Sequence, residues 1–366
     1  MRPSQIVGLC LVISSGGASA SQVDEARLMA EAATFDWTLE RADVVQMRVV
    51  FHIIRHNDGS DGLYYWQDVV EDSLADANAN LAGAGIELVL EGQPRFLDDS
   101  SLYWIYWDWD DYDQFYELIN TDSVPGAINV YQVPNLLQDG ERTPGLSTMP
   151  GDPLGQGIVI NNYSTPGLFG DSATFSHEIG HYLHLYDTQE NWMDPPDETP
   201  PAGWWGVECP DASNCATAGD LLCDTPTHPG LADTVDGDCA YVGDSYPPED
   251  SGCGDAVAYA PLTDNIMSTA PVSCRTAFTC DQLNVMSWSA RNERADHIVA
   301  NRAACLGDVS GDCEAGMPPD GVVDEVDVAS MVSQWGGTSP AWDLDQDGVV
   351  GVLDLIMLLE AWGPCS

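Results

Sequence analysis

The chain has 366 residues, 59 acidic and 11 basic, for a net charge of −48; every basic residue is arginine. That length accommodates a sizeable core plus a smaller module, while so negative a surface repels phosphate backbones and anionic membranes and disfavours nucleic acid as a partner. Most of the acid is expected to be a surface adapted to a salty medium, where ions screen its self-repulsion.

In chain order, residues 1–20 read as an export signal: Arg2 supplies the positive start, Ile6 to Ile13 the apolar run, and Ala18-Ser19-Ala20 the small-residue cleavage site. No other stretch approaches the ~20 apolar residues of a membrane span, so the mature protein is expected to be secreted, with no membrane span. Cys10 would leave with the signal. All other cysteines lie from Cys209 onward, and an even, clustered set in an exported chain predicts disulfides. No cysteine stands between the signal and position 177 to block a metal from the N-terminal side.

Residues 21–44 are polar and weakly patterned, a short pro-segment or linker. A mixed α+β domain is expected over 45–304. Val49 to Ile54 is a run rich in β-branched residues and predicts a buried strand. Trp66 to Leu81 predicts an amphipathic helix, and Ile86 to Leu90, Ala127 to Val133 and Gly157 to Ile160 predict strands. The next helix starts near Asp171-Ser172, both plausible N-caps. Between Thr188 and Asp264 the chain is rich in Pro, Gly, Asp and Cys, and a helix from Asp281 to about Ala304 closes the domain.

The helix after Ser172 carries His177-Glu178-Ile179-Gly180-His181. Two histidines four residues apart lie on one helical face and can share one zinc ion. Glu178 then stands beside the open coordination position, where a carboxylate can take a proton from the attacking water. A third ligand is needed, and the candidates are Asp187, His184 and a downstream glutamate such as Glu190 or Glu198. Asp187 falls where HExxHxxGxxH/D proteases place theirs. His184 shares the helical stripe, but about 10 Å of helix rise separates it from His177. The Asp187 arrangement requires a sharp turn at position 184, usually a glycine with positive φ; histidine is among the other residues enriched there.

These elements resemble the pappalysin-like (cytophagalysin-type) metzincin metalloproteases over roughly Met47 to Ala304. Val49-Val50-Phe51-His52 resembles the family's first strand, Gly219 to Pro226 its aspartate-rich segment ending in Asp-Thr-Pro, and Asn265-Ile266-Met267-Ser268 its Met-turn. Cys274, Phe278-Thr279, Gln282 and Met286 resemble its closing pattern. The resemblance implies a zinc peptidase in which His177, His181 and Asp187 ligate zinc and Glu178 is the general base. Met267 would underlie the metal, and Asp220 and Thr225 would help hold calcium. It implies a Cys239–Cys274 bridge and a partner for Cys253 in Cys209 or Cys215; Cys223 and Cys280 are additions to the family pattern, expected to pair with each other. Three positions depart from the family: Asp187 replaces the usual histidine, His184 replaces the hinge glycine, and Thr269 replaces a tyrosine that can stabilise the oxyanion. Tyr259 and His228 are candidate substitutes for that donor.

The last residues, 305–366, contain an internal repeat: Asp320 to Trp335-Gly336 lines up with Asp347 to Trp362-Gly363. Asp343, Asp345, Asp347, Val349 and Asp354 take ligand positions of an EF-hand-like calcium loop, with Gly348 at its sharp turn. Asp308, Asp312, Asp320 and Asp327 are the counterparts in the first unit, which carries an apparent insertion. An aspartate at the last loop position resembles the dockerin type of loop, so a small all-α, two-loop module is expected, with a cohesin-like or cell-surface partner. Cys305 and Cys365 bracket it and can tie its ends together. The whole reads as a secreted zinc endopeptidase acting on proteins or peptides, with one catalytic Zn²⁺ and structural Ca²⁺. The alternative is a catalytically weak, calcium-dependent binding or assembly protein that uses the C-terminal module.

Overall fold

The computed structural model describes residues 44–63, 66–107, 113–138, 140–162, 172–189, 208–243, 253, 257–302, 322–338, 342, 344 and 348–364. Its first element, β1 (Val44–Arg55), is flanked along its whole length. Helix α1 (Trp66–Leu81) follows, then β2 (Ile86–Leu90) and β3 (Arg95–Asp98), both parallel to β1. After β4 (Trp104–Trp107) and the short α2 (Asp113–Ile119) comes β5 (Ile128–Val133), which pairs in parallel with β1. Strands β6 (Asn135–Gln138) and β7 (Glu141–Arg142) form a small sheet with β4. Strand β8 (Gly145–Ser147) runs antiparallel to β9 (Ile158–Asn161), which is parallel to β5. Helix α3 (Ser172–Tyr182) comes next, then a long irregular stretch, α4 (Cys280–Asn292) and β10 (Ile298–Arg302). The main sheet runs β10-β1-β5-β9-β8, so β8 is its edge among the described residues.

Alternation with period two along the central strands sorts side chains between two cores. Val49 and Phe51 of β1, Ile128 and Val130 of β5, and Ile158 and Ile160 of β9 face the core that receives α1, α3 and α4. Ile54, Tyr131, Val133 and Val159 face the other, with Leu118 and Ile119 of α2 and Leu136 of β6. In α1 the buried Val70, Leu74, Ala77 and Leu81 fall at helical spacing. Two amide side chains fix α1 against its neighbours. Asn78 exchanges two hydrogen bonds with the backbone of Leu88, and Asn80 donates to Ser176 Oγ at 2.9 Å. Phe175 meets Phe51 at 5.7 Å between ring centroids, seating α3 on the sheet.

Two expectations are corrected here. The closing helix ends at Asn292, not near Ala304. The buried Arg294 leaves the helix to donate from Nε to Tyr182 O at 3.0 Å, and Ile298 to Arg302 turn back to pair antiparallel with Val44–Met47. The Cys223–Cys280 pairing is also wrong. A turn of 3-10 helix at Cys215–Thr217 brings Cys215 to Cys223, eight residues on, with the Cα atoms 5.1 Å apart. The other described bridges are Cys209–Cys253 and Cys239–Cys274. Cys280 is itself disulfide-bonded, and every other described cysteine is already paired. Cys10, Cys305 and Cys365 lie outside the described residues, as do 1–43.

The C-terminal part has its own apolar cluster of Val323, Met331, Trp342, Leu344, Val350 and Leu358. It contains α5 (Glu325–Ser333), α6 (Val352–Glu360) and a two-residue antiparallel pair of β11 (Val322–Val323) with β12 (Gly363–Pro364). The sequence repeat is visible in the fold. Asp327 Oδ2 accepts from Asp324 N at 3.0 Å, and Asp354 Oδ2 accepts from Gly351 N at 2.6 Å, each carboxylate capping the start of its helix.

Candidate metal centre

Helix α3 stops where its sequence asks for a turn. Leu185 N donates to Gly180 O at 2.9 Å and His184 N to His181 O at 3.0 Å, the two bonds of a Schellman C-cap. His184 occupies the left-handed position with φ of 80°, a conformation that costs a residue with a Cβ about 1–3 kcal/mol. The turn sends the chain back across the end of α3. Its backbone then serves the site, because Leu185 O accepts a hydrogen bond from His181 Nδ1 at 2.8 Å.

The turn brings Asp187 to the two histidines. His177 Nε2 lies 3.1 Å from His181 Nε2, 3.2 Å from Asp187 Oδ1, and all three side chains are buried. One ligand atom from each falls within 4.8 Å of the others. His177 Nδ1 donates to Ile266 O at 2.8 Å, as His181 Nδ1 does to Leu185 O. With the Nδ1 protons committed to carbonyls, each neutral ring turns a lone pair on Nε2 toward the other and toward a carboxylate. Both Asp187 oxygens are buried without a hydrogen-bond donor of good geometry. Burial drives His181 down to about 4. Burial also works against the charged form of His177, but contact with Asp187 and the charge of Glu178 outweigh it and raise His177 above its usual value. Three acceptors that face one another in a dry site repel unless a cation lies between them. Two imidazole nitrogens and one carboxylate oxygen are a zinc donor set.

Of the candidate third ligands among the described residues, Asp187 is the one placed beside the histidine pair. His184 points away, its Nδ1 2.7 Å from Glu293 Oε2. Glu190 and Glu198 lie outside the described residues.

Beneath the cluster, Asn265 to Ser268 form a tight turn. Met267 N donates to Asn265 Oδ1 at 2.8 Å, and paired amide bonds tie Asn265 to Gln282 of α4. Met267 is fully buried against Gly180, where a Cβ would collide with its Sδ. The glycine inside the histidine motif is therefore required by packing, since it lets the turn close under the helix. Glu178 is buried as well, and Gly145 of β8 presses on it: a Cβ there would stand 2.6 Å from Glu178 Oε1.

The irregular stretch folds against this centre. Thr188 N donates to Met267 O at 3.0 Å. His228 Nδ1 accepts from Gly230 N, so Nε2 carries the proton and donates to Thr188 Oγ1 at 2.7 Å. With both nitrogens engaged, His228 has no proton left to offer an oxyanion. Thr269 Oγ1 accepts from Leu231 N at 2.8 Å, and Gln189 Nε2 is buried nearby with no acceptor. Tyr259 is buried.

Asp220 is fully buried, with Oδ1 accepting from Leu222 N and Thr225 Oγ1. Glu208, which has no motif spacing to announce it, packs against Gly219. Its carboxyl is pushed up to about 9 by burial and then by the charge of Asp220, whose own carboxyl is raised by burial. Glu208 Oε2 and Asp220 Oδ2 both lack a partner. In the C-terminal part, Val349, Asp354 and Asp327 are described, while Asp308, Asp312, Asp320, Asp343, Asp345 and Asp347 lie outside the described residues.

No protein-family model matches the chain, and none of the curated proteins does. Among solved structures, the chain is similar to mirolysin in complex with a compound, at 17% identity over 70% of this chain and 97% of that one, with a TM-score of 0.46. Mature mirolysin from Tannerella forsythia in complex with a cleaved peptide gives 15% identity, the same coverage and 0.44. Metalloproteinase-II from Bacteroides fragilis gives 12% identity over 56% of this chain and 57% of that one, with 0.26. At these identities and scores they state what the chain is similar to and decide nothing about its chemistry.

Proposed function

We propose that the chain is a secreted zinc endopeptidase. The observation that carries this is the buried group of His177 Nε2, His181 Nε2 and Asp187 Oδ1, whose ligand atoms lie within 4.8 Å of one another while both histidine Nδ1 protons are committed to carbonyls. Zinc held by His177, His181 and Asp187 would polarise a scissile carbonyl and acidify the attacking water. Glu178 takes the proton of that water and returns it to the leaving amine, one carboxyl acting as base and then acid. Gly145 keeps the Glu178 carboxylate in place from the sheet side. Because β8 is an edge strand among the described residues, an extended peptide could pair with it and lie across Glu178. Met267, packed against Gly180, would support the helix that carries the histidines.

Two further metal assignments belong to this proposal. Glu208 and Asp220, adjacent buried carboxylates with orphaned oxygens beside Thr225, suit Ca²⁺, a hard cation that takes oxygen ligands. Asp343, Asp345, Asp347, Val349 and Asp354 would hold a second Ca²⁺ in a dockerin-like module over 305–366, with Asp308, Asp312, Asp320 and Asp327 as its counterpart. Exposed Val332, Trp335, Leu359 and Trp362 recur at equivalent places of the two repeats and suit a cohesin-like or cell-surface partner. The disulfides support an oxidising compartment, and no described helix is long and apolar enough to cross a membrane.

The test compares the wild type with Glu178→Gln, measuring zinc content and cleavage of casein or gelatin. The expected result is stoichiometric zinc in both proteins and a loss of cleavage by about 10²–10⁴-fold in the variant. A wild type that takes up no zinc, or a variant that cleaves as fast, overturns the proposal.

A further inference from the structure

The site carries a positioning device that its metal-binding motif does not contain. Between the second histidine and Asp187 the chain must pass through a left-handed residue, and here that residue is His184. Glycine takes this conformation freely, whereas a residue with a Cβ resists it. His184 is not left to bear that strain alone. Its Nδ1 meets Glu293 Oε2 at 2.7 Å, with the His184 side chain almost wholly buried and that of Glu293 20% exposed. Glu293 is the C-cap of α4, and its Oε2 also accepts from the fully buried Ser289 Oγ at 2.7 Å.

The next residue grips the same turn from its other side. Arg294 Nε donates to Tyr182 O at 3.0 Å, and its guanidinium lies 3.7 Å over the Tyr182 ring. His297 Nε2 is 2.9 Å from the Tyr182 hydroxyl. The end of α4 therefore holds residues 182 to 184, three residues before the chain reaches Asp187.

We propose that Glu293, through His184, is a positioning residue for the metal centre: it holds the turn that delivers Asp187 to His177 and His181. The inference rests on the metal-binding proposal above and adds that metal affinity depends on the contact between α3 and α4. With glycine at position 184 the turn needs no anchor, so the contribution of Glu293 to metal affinity should vanish.

The experiment measures zinc dissociation constants by chelator competition on the full chain, for wild type, Glu293→Ala, His184→Gly and the double variant. Glu293→Ala is expected to weaken zinc binding by about tenfold, the scale of one strained left-handed residue. His184→Gly should bind within about twofold of wild type, and adding Glu293→Ala to it should change affinity by less than about twofold. Should Glu293→Ala fail to fold, Ser289→Ala, which removes the bond orienting Glu293, replaces it and should shift affinity in the same direction. An equal loss in both backgrounds, or unchanged affinity in the His184 background, overturns the inference while leaving the zinc site standing. Failure of the wild type to bind zinc overturns the zinc site itself, and this inference with it.

Discussion

Asp281 shows how a single side chain can work against the fold that holds it. It lies in the first turn of α4, where a negative charge is ordinarily welcome. Burial, and after it the charge of Asp224, push its carboxyl from 3.8 up to about 6. Because the folded value exceeds the unfolded one, the folded chain holds this proton more tightly, and stability is lost as pH rises from about 4 through about 6. Asp281→Asn is therefore expected to raise the melting temperature at about pH 8, with the gain shrinking to nothing near about pH 4. Thermal unfolding across that range checks it, and equal melting at the alkaline end would contradict the sign. The residue-level chemistry of the metal centre was more legible than this. Spacing on one helical face pairs His177 with His181, and Asp187 was among three options for completing the set. Glu208 and Glu293 were invisible, since neither has a local pattern and Glu293 meets a residue more than a hundred positions earlier.

At the scale of elements, two glycines separate stability from chemistry. Gly180→Ala gains helix propensity of about 1 kcal/mol, yet its Cβ meets the Met267 sulfur inside a packed core. Overpacking of that kind costs about 1–3 kcal/mol. The expected outcome is a lower melting temperature together with weaker zinc binding, measured by unfolding and chelator competition. Gly145→Ala meets the Glu178 side chain alone, from its carboxylate to its Cγ, so the fold and the zinc content should persist if that side chain shifts. Displacing the base by an ångström should cut kcat by about tenfold or more; unchanged kcat would show that Gly145 does not set its position. Element boundaries show where local patterns run out. Trp66 to Leu81 forms the expected helix because its apolar face is written at one period throughout. The segment after Asn292 continues a plausible helical pattern, but pairing with Val44–Met47, more than two hundred residues earlier, claims it for a strand.

For the molecule as a whole, a net charge of −48 spread over a chain without lysine implies strong self-repulsion. Raising the salt shortens the screening length from about 30 Å at 0.01 M to about 3 Å at 1 M. The melting temperature should rise across that range, and a flat or falling profile would refute the view that the acidic surface is adapted to salt. The disulfides sit in the irregular stretch that contributes few apolar side chains, where covalent closure stands in for a core.

The sequence by itself determined the mixed strand and helix pattern, the helix that aligns His177 with His181 beside Glu178, and the repeat at the C-terminus. All of these are short-range periodicities, set by which face of an element a residue occupies. Only the tertiary structure decided that His184 turns away to Glu293 while Asp187 turns in, that Cys223 bonds Cys215, and that Glu208 is buried within reach of the charge of Asp220. It also decided why the motif has a glycine at 180. Each is a contact between segments whose approach depends on the packing of the whole chain, and local spacing carries no record of it.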